Sequence, residues 1–189
     1  MTLVDKIRAW VWLDLWQPLI SARRSREALA RIAPEQVAAG EVRRKQDVAN
    51  LTNPNVDPSY YVGTILSRLE YREDVKDFQQ SPELIYAQMP AGPVGADCED
   101  FASFAGYLFG VAGVRGYVVT LIKRIPRDWQ WAWVDSWLGH AVWVDAEGRY
   151  LIDNGRVHRW NSYSPTTRPA YVIDAWKNLG FFEVHRKAT

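Results

Sequence analysis

The sequence predicts an α+β domain from three observations: helical patterns fill its first quarter, an apolar helix follows a single cysteine, and the second half carries β-rich runs ending in a hairpin. At 189 residues, 48% hydrophobic and 24% charged, the chain has the size and composition of one ordinary globular domain with an appended arm.

Taken in order, Leu3, Val4, Ile7, Val11 and Leu15 recur at amphipathic-helix spacing, and Pro18 limits the pattern. A second helix is expected over 21–33 with Ser21 as its N-cap, and a third over 34–48, opened by Pro34 and Glu35. Together they read as an N-terminal helical arm. The turn-dense run LTNPNVDPS, residues 51–59, marks the expected boundary, dividing the chain into an arm and linker, 1–55, and a compact domain, 56–189. A short helical or mixed stretch covers 60–76. Ser81, Pro82 and Glu83 then start a helix that must end before Pro90, and AGPVGA is a loop. From Cys98, the residues Phe101, Phe104, Ala105, Leu108 and Phe109 mark a buried helix that Gly113 stops. Residues 114–125 read as a strand. The tryptophan-rich run PRDWQWAWVDSWL takes no assignment from its pattern. HAVWVDAEGRYLIDNG is a hairpin about Glu147 and Gly148, followed by a polar loop (161–169), a helix (171–179) and a last strand, FFEVHR.

Charge and cysteine content narrow the function classes. With 23 basic and 22 acidic side chains, the net charge of +1 gives no whole-chain attraction to nucleic acid or to an anionic membrane. The local cluster of Arg23, Arg24, Arg26 and Arg31, with Arg43, Arg44 and Lys45, has no interleaved aromatics and reads as a solvated helix face. One cysteine excludes an intrachain disulfide. Lys6 and Arg8 precede an apolar stretch, but Asp14 interrupts it and no small-residue cleavage site follows, so the segment reads as mature sequence, too short to span a membrane. A cytoplasmic location, or one inside a larger particle, is expected.

The chemistry centres on Cys98. A nucleophilic thiol acts as thiolate, which a helix N-terminus favours through its free N–H groups; an imidazole supplies the base, and a carboxylate fixes the imidazole's tautomer. His140 and Asp153 lie on the two arms of the hairpin. A two-residue turn at Glu147 and Gly148 sets Val142 opposite Asp153 and brings His140 diagonally next to it on one face; a four-residue loop sets the pair directly opposite, and a three-residue loop puts them on opposite faces. Each residue also has a plainer reading: a small buried hydrophobe, a structural histidine and a turn former. Against the first stand Asp97, Glu99 and Asp100, acids that a purely core cysteine would not gather around it.

The run SPELIYAQMPAGPVGADCEDFASFAGYLFGVAGVRGYVV, followed by GHAVWVDAEGRYLIDN, resembles the transglutaminase-like superfamily in its bacterial cysteine-peptidase branch, over roughly residues 60–160. The match rests on three motifs in order: Asp-Cys-Glu-Asp at Cys98, a His before a small residue and Val at His140, and an Asp before Asn at Asp153. The resemblance implies a papain-like, transglutaminase-like core in which the helix bearing the Cys packs on an antiparallel sheet. It also implies a Cys98–His140–Asp153 triad that forms an acyl-enzyme from a peptide or protein amide, with water giving a protease or amidase and an amine giving a cross-linker. The Cys98 N–H is a natural oxyanion donor; Gln80, Gln88 or a tryptophan within 129–137 would supply the second. Some members of this branch bind calcium through the acids flanking the Cys, which here are Asp97 and Glu99; the plainer reading is that these acids cap and solvate the helix start. No other cofactor is implied. Asp145, His158 and His185 stand as supporting residues or as ordinary surface positions.

An alternative reading comes from the arm. The tryptophan-rich segment 1–50 would dock on a protein partner, making the chain a binding or assembly module, as in a phage particle or multiprotein machine, with its triad idle.

Overall fold

A computed structural model describes residues 17–72, 79–125, 136–159 and 169–189. The first helical pattern, 3–16, the tryptophans of 129–135 and most of the polar loop lie outside the described residues.

The elements run α1 (Gln17–Leu29), α2 (Pro34–Leu51), α3 (Pro58–Leu66), β1 (Leu69–Tyr71), α4 (Pro82–Gln88), a 3-10 turn (Met89–Ala91) and β2 (Val94–Ala96). They continue with α5 (Cys98–Val111), β3 (Gly116–Ile125), β4 (Ser136–Asp145), β5 (Tyr150–Asp153), β6 (Arg156–Arg159), α6 (Pro169–Asn178) and β7 (Phe182–Ala188). The fold is α+β. Strands β3 to β7 form an antiparallel sheet in the order β6-β5-β4-β3-β7, while β1 and β2 make a separate parallel pair.

Alternation along the strands divides the sheet into two faces. Ala141, Trp143 and Ile152 pack with Phe101, Phe104, Leu108 and Phe109 of α5, and behind α5 lie Leu51, Val62, Ile65, Ile85 and Tyr86. On the other face, Val119, Leu121, Val142, Val144 and Leu151 pack with Ile173 of α6 and with Phe181. Trp143, fully buried, stacks on Phe109 with ring centroids 4.3 Å apart.

The helical arm is built into this core. Leu51 of α2 belongs to the core beneath α5, and buried Asp47 accepts from the Tyr61 hydroxyl at 2.8 Å and pairs with Arg68 at 3.4 Å. Gly40 lets α2 lie directly on α4, since a Cβ there would stand 2.4 Å from the Tyr86 carbonyl oxygen. The connector after residue 51 is thus a turn between packed helices, where Asp57 caps α3 by accepting from the Ser59 N–H. Ser21 lies inside α1 and is buried, not an N-cap. The AGPVGA run contains β2, paired with β1 from Leu69↔Val94 to Tyr71↔Ala96, in place of the expected loop. No helix among the described residues is long and apolar enough to cross a membrane.

Candidate functional site

The β4–β5 hairpin has the register expected of the two-residue turn, with residues 146–149 between the strands and the Gly148 N–H donating to the Asp145 carbonyl. Val142 pairs with Asp153 and Val144 with Leu151; Gly148 occupies the positive-φ position of the turn at +70°, and buried Asp145 clasps it by accepting from the N–H groups of Arg149 and Tyr150. Asp145 thus works at the far end of the hairpin from the imidazole.

In that register His140 and Asp153 share a face, and His140 Nε2 lies 2.8 Å from Asp153 Oδ1. The other carboxylate oxygen, Oδ2, accepts the indole N–H of Trp176 at 3.0 Å, and the Trp176 ring lies against the imidazole with centroids 4.0 Å apart. Burial favours the neutral carboxyl, but the hydrogen bonds from His140 and Trp176 outweigh it and hold Asp153 below the usual carboxylate range. Because the Nε2 side is turned to Asp153, the Nδ1 side, nearer the His140 main chain, is the one left to face a reactant.

Cys98 opens α5. Asp97 caps the helix through its Oδ1, which accepts the N–H groups of Glu99 and Asp100 at 3.0 Å, and Asp100 reaches back to the Asp97 N–H in a capping box. The thiol packs on the α5 side of the sheet, with the main-chain N–H groups of Ala141 and of Cys98 itself near enough to the sulfur to favour the thiolate. Ala141 lies one residue beyond the last β4–β5 pair, where the ladder ends because Asn154 (φ +45°) and Gly155 (φ +78°) turn the chain into β6. Gly155 also allows α5 to approach: a Cβ there would stand 2.7 Å from the Phe101 ring.

Thiol and imidazole are therefore anchored to consecutive residues of β4 but on opposite faces of the sheet. Among the described residues no hydrogen bond joins them. Burial pushes the thiol's pKa up to about 12, the Ala141 N–H opposes that shift, and the charges of Asp97 and Glu99 add to it.

The polar groups around Cys98 form a second network. Fully buried Asp100 accepts from the Gln80 main-chain N–H at 2.6 Å and from Gln80 Nε2 at 2.8 Å; burial, followed by the charge of Asp97, pushes its carboxyl up to about 7. Gln80 Nε2 also donates to the Gly95 carbonyl, and Gln88 Nε2 donates to Gln80 Oε1 and to the Leu84 carbonyl. Both amides are thus engaged internally, which removes Gln80 and Gln88 as oxyanion donors in this arrangement. Asp97 is engaged by its cap and Glu99 accepts from Gln17 Nε2. No group of three or more His, Cys, Asp or Glu side chains that could hold a metal ion occurs among the described residues.

Two cavities flank the start of α5. One of about 380 Å³ is lined by Ala28, Ile32, Gln80, Leu84, Asp97 and Asp100, among others. The other, about 160 Å³, is lined by Gln17, Gln79, Glu99, Ser103, Thr120 and Ala141, among others. Sequence reasoning missed Trp176, because nothing local in an amphipathic helix marks an indole N–H for a carboxylate 23 positions earlier. It also missed Gln17. His158 is half-buried on β6 opposite Leu151, and His185 stands on β7 opposite Thr120. Comparison with known proteins finds no matching family model, no similar curated protein and no similar solved structure.

Proposed function

We propose that the chain is a thiol-dependent hydrolase of papain-like, transglutaminase-like design, acting on peptide or protein amides through Cys98, His140 and Asp153. The observation that carries this reading is the His140–Asp153 pair at 2.8 Å, with His140 on the strand whose next residue, Ala141, sets its main-chain N–H beside the Cys98 sulfur.

The protonation states suit a concerted step. Once the thiol and the imidazole are brought within hydrogen-bond reach around the end of the β4–β5 ladder, the thiol gives its proton to His140 as the sulfur attacks the carbonyl carbon; the S–C bond forms and the carbonyl electrons move to oxygen. Collapse breaks the C–N bond, and the amine leaves with the proton from His140. Water then attacks the thioester, gives a proton to His140, and releases the acid and the restored thiol. Asp153, already ionised and bonded to Nε2, steadies the imidazolium between the two half-reactions. Calcium at Asp97 and Glu99 is the least supported part of the family likeness, because both carboxylates are engaged within the chain.

A second reading, an assembly module with an idle triad, is favoured by the partial burial of the thiol and by the absence of a thiol–imidazole hydrogen bond among the described residues. Intact-mass analysis after p-nitrophenyl acetate treatment separates the two. The hydrolase reading predicts an acetyl group on Cys98 that is lost to water in wild type and does not form in H140A. A transfer enzyme would pass the acetyl group to added amine faster than to water. A stable adduct, or none, supports the module.

A further inference from the structure

Helix α1 buries three residues, and all three are polar: Gln17, Ser21 and Ser25, spaced four apart. Leu19, in contrast, is 68% exposed. The buried stripe does not meet an apolar surface. It meets residues 79–81, an extended stretch that leads into α4 and ends at Ser81 with φ −73° and ψ 153°.

The contacts follow the pattern of a sheet edge. The Gln79 N–H donates to Ser21 Oγ at 3.0 Å, the Gln79 carbonyl accepts from Ser25 Oγ at 3.4 Å, and the Ser81 N–H donates to Ser25 Oγ at 3.0 Å. The intervening Gln80 N–H points the other way, to Asp100. N–H and C=O of one residue, with N–H two residues on, are what an extended strand offers to an antiparallel partner. Here two serine hydroxyls take the partner's place. The stretch stands at the candidate site: Gln80 bonds Asp100 in the first turn of α5, and Gln79 lines the cavity that includes Ala141. Helix α1 lines both cavities, through Gln17 and Pro18 at one end and Ala28 at the other, with Ile32 just beyond its end.

We propose that the edge formed by Gln79 and Ser81 is the docking strand for the main chain of an extended polypeptide substrate, and that α1 is a strap occupying that edge in the resting protein. The inference rests on the thiol-hydrolase reading and assigns its substrate-binding element. Strand addition draws affinity from main-chain hydrogen bonds, and a strap held by hydroxyls can be exchanged for a peptide because each displaced bond is replaced.

The test uses the full chain and the double variant Ser21→Ala/Ser25→Ala, with α1 loosening verified by amide hydrogen exchange. Three probes are compared at Cys98, the only cysteine: iodoacetamide, an acetyl-tetra-alanine chloromethyl ketone, and the same chloromethyl ketone with N-methylated main-chain amides. The unreactive methyl ketone of the peptide is added at millimolar concentration while exchange at the Gln79 and Ser81 amides is followed. The double variant should react at least about tenfold faster than wild type with the peptide chloromethyl ketone, gain less with iodoacetamide, and lose its extra gain with the N-methylated probe. The methyl ketone should slow exchange at residues 79 and 81 in the variant more than in wild type. Equal gains for the peptide probe and iodoacetamide, or no protection of either amide once α1 is loosened, would overturn the docking edge. Protection of both amides with a Cys98 that no probe alkylates faster than the unfolded chain would keep the edge and remove the thiol reading.

Discussion

On the α6 side of the sheet, a carboxylate is held ionised by two hydrogen bonds despite being partly buried; on the α5 side, burial pushes a thiol toward its neutral form despite its place at a helix N-terminus. The contrast lies in what surrounds each group. Asp153 has an imidazole and an indole as donors, whereas Cys98 has deeper burial and two flanking acids. Direct hydrogen bonds win in the first case and desolvation wins in the second, so helix-terminus position alone does not fix the charge state of a buried nucleophile.

Variants can separate the half-sites. The largest effect is expected from His140→Ala, which leaves the thiol with no base: acetylation of Cys98 by p-nitrophenyl acetate should fall by about 10²–10⁴-fold. Trp143→Ala on the α5 face should cost about 3–5 kcal/mol in urea unfolding, because it empties a fully buried stack on Phe109, and so would break the α5-side packing without touching the imidazole. Trp176→Phe keeps the aromatic face but removes the N–H to Asp153. The acetylation rate should fall by about tenfold and Asp153 should titrate higher, so that acid inactivation begins at a higher pH than in wild type.

The smallest effect concerns Asp100. Its folded carboxyl is raised toward about 7, so its protonated form stabilises the fold; that contribution is full below the unfolded carboxyl range and is lost as pH rises through about 7. Asp100→Asn should therefore flatten the fall of the thermal midpoint between pH 5 and 8 while leaving the acid limb set by Asp153 in place. An unchanged slope would mean that Asp100 is ionised in the fold.

The legible parts of the molecule were those with a strong local period or turn chemistry. The α5 helix from Cys98, the hairpin about Glu147 and Gly148, and the strand at 116–125 follow from apolar spacing and β-rich runs, and the two-residue turn brought His140 to Asp153 as one of the registers considered. Strands β1 and β2 were not legible, since three residues are too few to display alternation. Ser21 looked like an N-cap and Ser25 carried no signal; only the fold shows that their hydroxyls meet main chain from residues 79 and 81. The burial that raises the thiol's pKa was not legible either, because the sequence reports the helix start but not what packs over it.

The central claim is that Cys98 and the His140–Asp153 pair act as one unit. Its most direct measurement is the rate of Cys98 acetylation by p-nitrophenyl acetate at pH 7, compared between the native chain and the urea-unfolded chain. The native wild type should react at least about tenfold faster than the unfolded chain, and native H140A slower than the unfolded chain, because burial then acts on a thiol without a base. A native wild-type rate no higher than that of the unfolded chain would contradict the claim.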